Sequence, residues 1–167
     1  KAQDLSIEFG GLKAVDNFNI EIKEGELVGL IGPNGAGKTT VFNMLTGVYF
    51  PTHGKVELRE KDVTRETPHK RVKIGIARTF QNIRLFKRMS VLENVKVSSN
   101  IKMNYSVFDG IFKTKKYFEQ EDKATKEALE ILRVLGLEEY AAEEAQNLPY
   151  GKQRKLEIAR ALASHPA

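Results

Sequence analysis

Residues 32–39 read Gly32-Pro33-Asn34-Gly35-Ala36-Gly37-Lys38-Thr39, with Thr40 next. Glycines at 32, 35 and 37 let the backbone curl with its N–H groups pointing inward. The five residues before the loop, Leu27-Val28-Gly29-Leu30-Ile31, are a short apolar run of the kind that forms a strand buried on both faces of a parallel sheet. After Lys38 there is no Gly or Pro before Gly47, and Val41, Met44 and Leu45 fall on one face. That pattern predicts a three-turn helix stopped by Gly47 and then Pro51. Strand, glycine loop and helix together aim amide groups and the positive end of a helix dipole at one point, where a phosphate fits. Lys38 is placed to hold the β- and γ-phosphates of a nucleotide, and the Thr39 hydroxyl to ligate Mg²⁺.

The flanking sequence supplies layers around this unit. Leu5, Ile7 and Phe9, then Phe18, Ile20 and Ile22, alternate with polar residues, and Lys23-Glu24-Gly25-Glu26 supplies a turn, so the opening reads as antiparallel β. Gly54 to Val63 reads as a further β segment and Ile74 to Ala77 as a short strand. Beyond Met89 the spacing turns helical: Val91, Leu92 and Val95 share a face. Ala124, Ala128, Ile131, Leu132 and Leu135 follow a 3.6-residue period closed by Gly136, and Leu156, Ala159, Leu162 and Ala163 line a last helix over about 151–163. Residues 100–117, basic and aromatic (Tyr105, Phe108, Phe112, Tyr117), read as a surface excursion or a broken helix.

Composition narrows the alternatives. With 41% apolar and 29% charged residues the chain is globular rather than disordered. No apolar run approaches the roughly 18 to 20 residues that cross a bilayer. The absence of cysteine excludes a disulfide scaffold, a thiolate metal site and a cysteine nucleophile. The N-terminal Lys-Ala-Gln-Asp-Leu-Ser lacks a long apolar stretch, so no secretory signal is expected in it. The net charge of +5 is unevenly spread: residues 61–116 hold 14 basic and 4 acidic side chains. Such a belt suits an acidic protein partner, anionic lipid or nucleic acid.

A second constellation is Leu148-Pro149-Tyr150-Gly151-Lys152-Gln153-Arg154-Lys155, leading into Leu156-Glu157-Ile158-Ala159-Arg160. Pro149 favours a helix start there. Cations at 152, 154 and 155 fall in the first turns, where each opposes the helix dipole by roughly a few tenths of a kcal/mol or more. An anion docked at that end would relieve the conflict.

Read together, these motifs resemble the nucleotide-binding subunits of ABC (ATP-binding cassette) transporters over nearly the whole chain. The resemblance implies a RecA-like α/β P-loop NTPase core with an N-terminal antiparallel β segment and an inserted helical subdomain, incomplete at its C-terminus. The ATP-binding core would comprise residues 1–88 and 148–167, and the helical subdomain residues 89–147. It implies that Phe9 stacks on adenine and Val15 lines the same pocket. Gly32, Pro33, Asn34, Gly35, Ala36, Gly37, Lys38, Thr39 and Thr40 would hold the phosphates. Gln81, within Arg78-Thr79-Phe80-Gln81-Asn82, corresponds to the Q-loop glutamine that contacts Mg²⁺ or the attacking water and senses the membrane partner, so Lys38 and Gln81 are the expected catalytic residues and Thr39 and Gln81 the expected metal ligands. Leu148, Pro149, Tyr150, Gly151 and Lys152 align with the Leu-Ser-Gly-Gly-Gln signature, which acts on ATP bound by the opposing subunit.

The closest resemblance is to the ATP-binding subunits of branched-chain amino acid importers, carried by Thr79-Phe80-Gln81-Asn82, Leu85-Phe86, Met89 to Val95 and Tyr150-Gly151-Lys152-Gln153-Arg154. It implies ATP and Mg²⁺ as cofactors. A second ATP-binding subunit and transmembrane permeases would be the partners, with a substrate-binding protein acting indirectly. No specific nucleic acid partner is implied, and the place is peripheral, on the cytoplasmic face of the membrane. Alternatives are another ABC transporter, such as one for lipopolysaccharide export, and a soluble ABC protein of translation or DNA repair. The 66 residues between Gln81 and Leu148 leave no room for the long coiled coil of the repair proteins. Two departures stand out. Pro149 replaces the signature serine, removing a hydroxyl and an N–H. The sequence also stops at Ala167, before the family's Walker B Asp and catalytic Glu, so residues 1–167 alone are expected to bind nucleotide without hydrolysing it.

Overall fold

Leu5 and Ile7, alternating with polar neighbours, turn the same face inward from β1 (Ala2–Phe9), and both are buried. A computed structural model describes residues 1–99 and 112–167, which divide into two compact units, Lys1–Arg71 and Val72–Ala167. Tyr105 and Phe108 lie outside the described residues.

In the first unit β1 is flanked antiparallel by β2 (Leu12–Ile20) and β3 (His53–Leu58), and β3 turns back into β4 (Lys61–Asp62), giving the order β2-β1-β3-β4. The antiparallel opening and the Gly54–Val63 β segment thus stand as expected. Helix α1 (Lys38–Leu45) begins at the P-loop lysine and buries Val41 and Met44; its eight residues make about two turns rather than three. It stops at Gly47 in a Schellman closure, in which the Val48 N–H reaches the Asn43 carbonyl at 2.9 Å and the Gly47 N–H reaches that of Met44 at 3.2 Å. Gly47 has φ +77°, and a Cβ there would lie 2.7 Å from the Glu66 carbonyl, so both conformation and space demand glycine.

Arg71, on the short helix α2 (Pro68–Lys73), is fully buried behind that closure. Its guanidinium donates to the carbonyls of Met44 (2.6 Å), Leu45 (2.7 Å), Thr64 (2.8 Å) and Glu66 (3.0 Å). Burial lowers its pKa, while the charges of Asp62 and Glu66 oppose that shift. Its four acceptors satisfy a buried cation that would otherwise be costly, and two of them are the last carbonyls of α1, where the dipole is negative.

The apolar run 27–31 does not form the strand its composition predicts. These residues have no regular secondary structure, and Leu27 and Ile31 are 100% and 95% exposed. A strand buried on both faces needs a hydrogen-bonded neighbour and cover above and below. Among the described residues the sheet closes on β2 and β4, and no strand pairs with this run. Ile74 to Ala77 is likewise not a strand; Ile74 and Gly75 sit in the turn that ends α2.

The second unit is built on three helices: α3 (Val91–Ser99), α4 (Lys115–Val134) and α5 (Tyr150–Ala163). Their shared core holds Val91, Val95, Ala128, Leu132, Leu156, Ala159 and Ala163, joined by Leu137, Ala145 and Leu148 from the connecting turns. Helix α4 ends at Gly136 as its periodicity predicts. Leu162, expected on the core side of α5, is instead 42% exposed, because the inward stripe runs through Leu156, Ala159 and Ala163. No helix among the described residues is long and apolar enough to cross a membrane.

Candidate functional site: the phosphate loop and the start of the last helix

Gly37 is the N-cap of α1, at φ 79° and ψ 2°, and offers no side-chain acceptor. The first intrahelical bond runs from the Val41 N–H to the Gly37 carbonyl at 2.9 Å. The amides of Lys38, Thr39 and Thr40 therefore stand at the helix end where the dipole is positive and no side chain caps them. A Cβ on Gly37 would come within 2.6 Å of the Ala14 carbonyl and 3.2 Å of Val15 Cγ2, so the loop reaches this position only because residue 37 has no side chain.

Lys38 Nζ donates to the carbonyls of Gly32 and Pro33, both at 2.6 Å, folding the lysine back across the loop. An ammonium has three donors, so one remains for a ligand oxygen. Val15, Leu30, Ile31, Ala36, Lys38 and Val41 help to line a cavity of about 410 Å³ beside β2, so Val15, Ala36 and Lys38 border one cavity, while Phe9 does not line it. Phe9 ends β1, 46% exposed and edge-on to Tyr49 at 5.4 Å between centroids. It is a presented ring rather than a core residue.

Gln81 and the signature segment belong to the second unit. Gln81 is exposed on a stretch without regular secondary structure. Leu148 is buried in the helical core, and Pro149, at φ −56° and ψ 149°, is the N-cap of α5. Tyr150 and Gly151 are exposed, and Pro149 gives no side-chain cap, so this helix start is open like that of α1.

The three cations of the segment do not reach toward that open end. Lys152 Nζ sits 3.4 Å from the centroid of the Tyr140 ring, and Lys155 Nζ donates to the Leu135 carbonyl at 3.2 Å. Arg154 donates to the carbonyls of Phe80 (2.6 Å) and Gln81 and pairs with Glu157 at 3.0 Å. Hydrogen bonding to Tyr150, with help from Glu157, raises the Arg154 pKa. The electrostatic conflict read from the sequence is thus relieved within the chain, by a ring, two carbonyl sets and a carboxylate.

Sequence reasoning passed over Glu157, whose carboxylate is 7% exposed and accepts from the Phe80 N–H at 3.1 Å as well as from Arg154. The available signal was an acidic residue directly beside Leu156 on the inward side of an amphipathic helix, where a charge needs a partner. Part of the basic belt is also held internally: Arg78 and Arg84 lie over the Phe80 ring at 5.2 and 4.8 Å. Outside the belt, Arg160 lies over Phe86 at 4.9 Å.

The family model for ABC transporters matches residues 15–167. The chain belongs to the ABC transporter family. It is 45% identical over 162 residues to the high-affinity branched-chain amino acid transport ATP-binding protein LivG of Salmonella typhimurium, a match that covers 97% of this chain and 64% of that protein. The ADP conformation of MJ1267, an ATP-binding cassette of an ABC transporter, superposes with a TM-score of 0.82 at 33% identity, covering 99% of this chain and 64% of the other. The dimeric structure of MJ0796, a bacterial ABC transporter cassette, gives a TM-score of 0.77 at 29% identity, covering 99% and 69%. The chain thus spans about 64% of the length of LivG and of MJ1267. These likenesses bear out the P-loop α/β cassette fold with its antiparallel N-terminal sheet.

Proposed function

We propose that this chain is the nucleotide-binding part of an ATP-hydrolysing subunit that energises an ABC importer, with branched-chain amino acids as the cargo class. The observation that carries the reading is the open N-terminus of α1, with Lys38 folded over the loop and Gly37 pressed against Ala14 and Val15. Such a concave set of amides with a cation suits a polyphosphate. Phe9 offers an exposed ring for the adenine base, and Val15 lines the cavity that Lys38 also borders. The likeness to LivG supports the cargo class.

The donor set also fits Mg²⁺. No cluster of three or more His, Cys, Asp or Glu occurs among the described residues, and Mg²⁺ bound to a nucleotide asks for few protein ligands because the phosphates and waters supply the rest. Thr39, exposed on the first turn of α1, would bring one hydroxyl; the share of Gln81, which belongs to the other unit, rests on the family resemblance alone. When bound, the ion neutralises charge that develops on the transferred phosphate.

The chain's own work is positional. The amides of 38–40 and the free donor of Lys38 bind and orient the phosphates, and the loop keeps them at a fixed dipole. Gln81 orients the water or the ion, and Pro149, Tyr150, Gly151 and Lys152 present the open start of α5 to nucleotide held by a second ATP-binding subunit. Leu148 anchors that segment in the core. The core of 1–88 and 148–167 would carry the helical subdomain 89–147, docked on permease subunits at the cytoplasmic face, with a substrate-binding protein beyond them.

The test is calorimetry with a non-hydrolysable ATP analogue on the full-length protein. Lys38→Ala is expected to abolish measurable binding; equal affinity in variant and parent would refute the phosphate role of this loop.

A further inference from the structure

We propose that Arg154 and Glu157 of α5 are positioning residues for Gln81, forming a clamp that makes the segment around Gln81 follow the helix whose start bears the signature residues. The inference rests on the reading of Gln81 given above and adds what sets its place. Residues 76–86 have no helix or strand of their own, and several of their backbone groups take side-chain partners. They find them on helices: Glu157 accepts from the Phe80 N–H at 3.1 Å, and Arg154 donates to the Phe80 carbonyl at 2.6 Å and to the Gln81 carbonyl. Arg160 donates to the Arg84 carbonyl, and Asn94 of α3 pairs in both directions with the backbone of Phe86 at 3.0 Å.

The chemistry of the clamp is specific to its residue types. Nη1 and Nη2 of one planar guanidinium hold two successive carbonyls, which fixes the orientation of the intervening peptide as well as its distance. A lysine carries the same charge but has no fork. Glu157 closes the arrangement by holding both Arg154 and the Phe80 N–H. A buried carboxylate paired in this way is poor support for stability in itself, since an apolar side chain of similar size packs as well. Glu157 instead holds the Phe80 N–H and Arg154, and the Arg154 acceptors, the Phe80 and Gln81 carbonyls, belong to the two peptide groups that flank Gln81.

The clamp has kinetic and exchange consequences in the full-length ATPase. Arg154→Lys and Arg154→Gln should each lower kcat by between about tenfold and a hundredfold, the range expected when a reacting group is displaced by about an ångström. The KM for ATP should change little, because the phosphate loop is untouched. Glu157→Gln should act in the same direction more weakly. In a Gln81→Ala background, Arg154→Gln should add no further loss, since its effect passes through Gln81. Amide exchange at Phe80 should accelerate in Arg154→Lys while the melting temperature stays within a few degrees.

The outcomes separate the ideas. An active Arg154→Gln beside an impaired Gln81→Ala, a loss that multiplies on that of Gln81→Ala, or unchanged exchange at Phe80 in Arg154→Lys overturns the clamp and leaves the proposed function standing. A fully active Gln81→Ala removes the premise on Gln81, and intact nucleotide binding in Lys38→Ala removes the functional reading itself. If Arg154→Gln does not fold, the charge-retaining Arg154→Lys carries both the kinetic and the exchange test.

Discussion

Among the described residues, α3 and α4 are capped at their N-termini by side chains, whereas α1 and α5 are left open. Ahead of α3, Ser90 Oγ accepts from the Glu93 N–H at 3.1 Å while the Glu93 carboxylate accepts from the Ser90 N–H at 2.8 Å, a reciprocal capping box. At α4, Thr114 Oγ1 accepts from the Tyr117 N–H at 3.4 Å. The starts of α1 and α5 have Gly37 and Pro149 instead, neither with a side-chain acceptor. The helices that only build the core satisfy their own first amides, whereas the two starts that carry the P-loop and the signature segment leave theirs to something outside the helix. A cap and an anion compete for the same N–H groups, so placing a cap at α1 or α5 should trade function for helix stability.

The sharpest way to break the comparison is Gly151→Asp in the full-length protein. Residue 151 has open space around its Cβ position, so the carboxylate fits without a clash. At the positive end of α5 it should hold or raise the melting temperature, an effect of about 0.3–1 kcal/mol. It should also lower ATPase activity by more than about tenfold, or about 1.4 kcal/mol in barrier, by repelling the incoming phosphate. Wild-type turnover in this variant would make α5 an ordinary helix start.

The capped helices should respond in the opposite sense. Ser90→Ala removes one side of a box and should cost about 1 kcal/mol in denaturant unfolding, with nucleotide affinity unchanged. Thr114→Ala loses a longer bond and should cost about 0.5 kcal/mol by the same measurement. A loss of ATP-analogue binding in either variant would contradict the division of roles.

The smallest effect is a pH dependence. Backbone and then side-chain hydrogen bonding to Ser90 holds the Glu93 pKa below the usual glutamate value. A carboxylate depressed in the folded state contributes stability that is fully present above its unfolded pKa and is lost as pH falls through the folded one. The stability gap between the parent and Glu93→Gln should therefore be steady at neutral pH and narrow through the acidic carboxylate range. A gap independent of pH would remove Glu93 from the cap.

How much of this was legible in the sequence depended on whether a feature is local. The Gly37–Lys38 helix start, the stop at Gly47 and the inward face of α4 follow from φ preferences and periodicity within a few residues, and all three are present. Leu27 to Ile31 shows the converse: an apolar run states a demand for burial, and only pairing with distant chain can meet it. Phe9 stands exposed although its alternation with Leu5 and Ile7 argues equally for burial, because β1 ends there. The cations at 152, 154 and 155 were visible, yet their partners Tyr140, Phe80, Gln81 and Leu135 lie between 12 and 74 residues away and carry no periodic mark.

Arg71 has a consequence for the order in which the chain can be assembled. Two of its four carbonyl partners lie 26 and 27 residues earlier, at the C-terminal end of the phosphate helix. A chain leaving the ribosome N-terminus first exposes the P-loop and all of α1 before the residue that locks the far end of that helix has been made. Until Arg71 emerges, α1 has only its Gly47 closure, and a helix this short is marginal by itself. The glycine loop and its helix therefore wait for their C-terminal lock on a side chain made 26 residues after the last of α1.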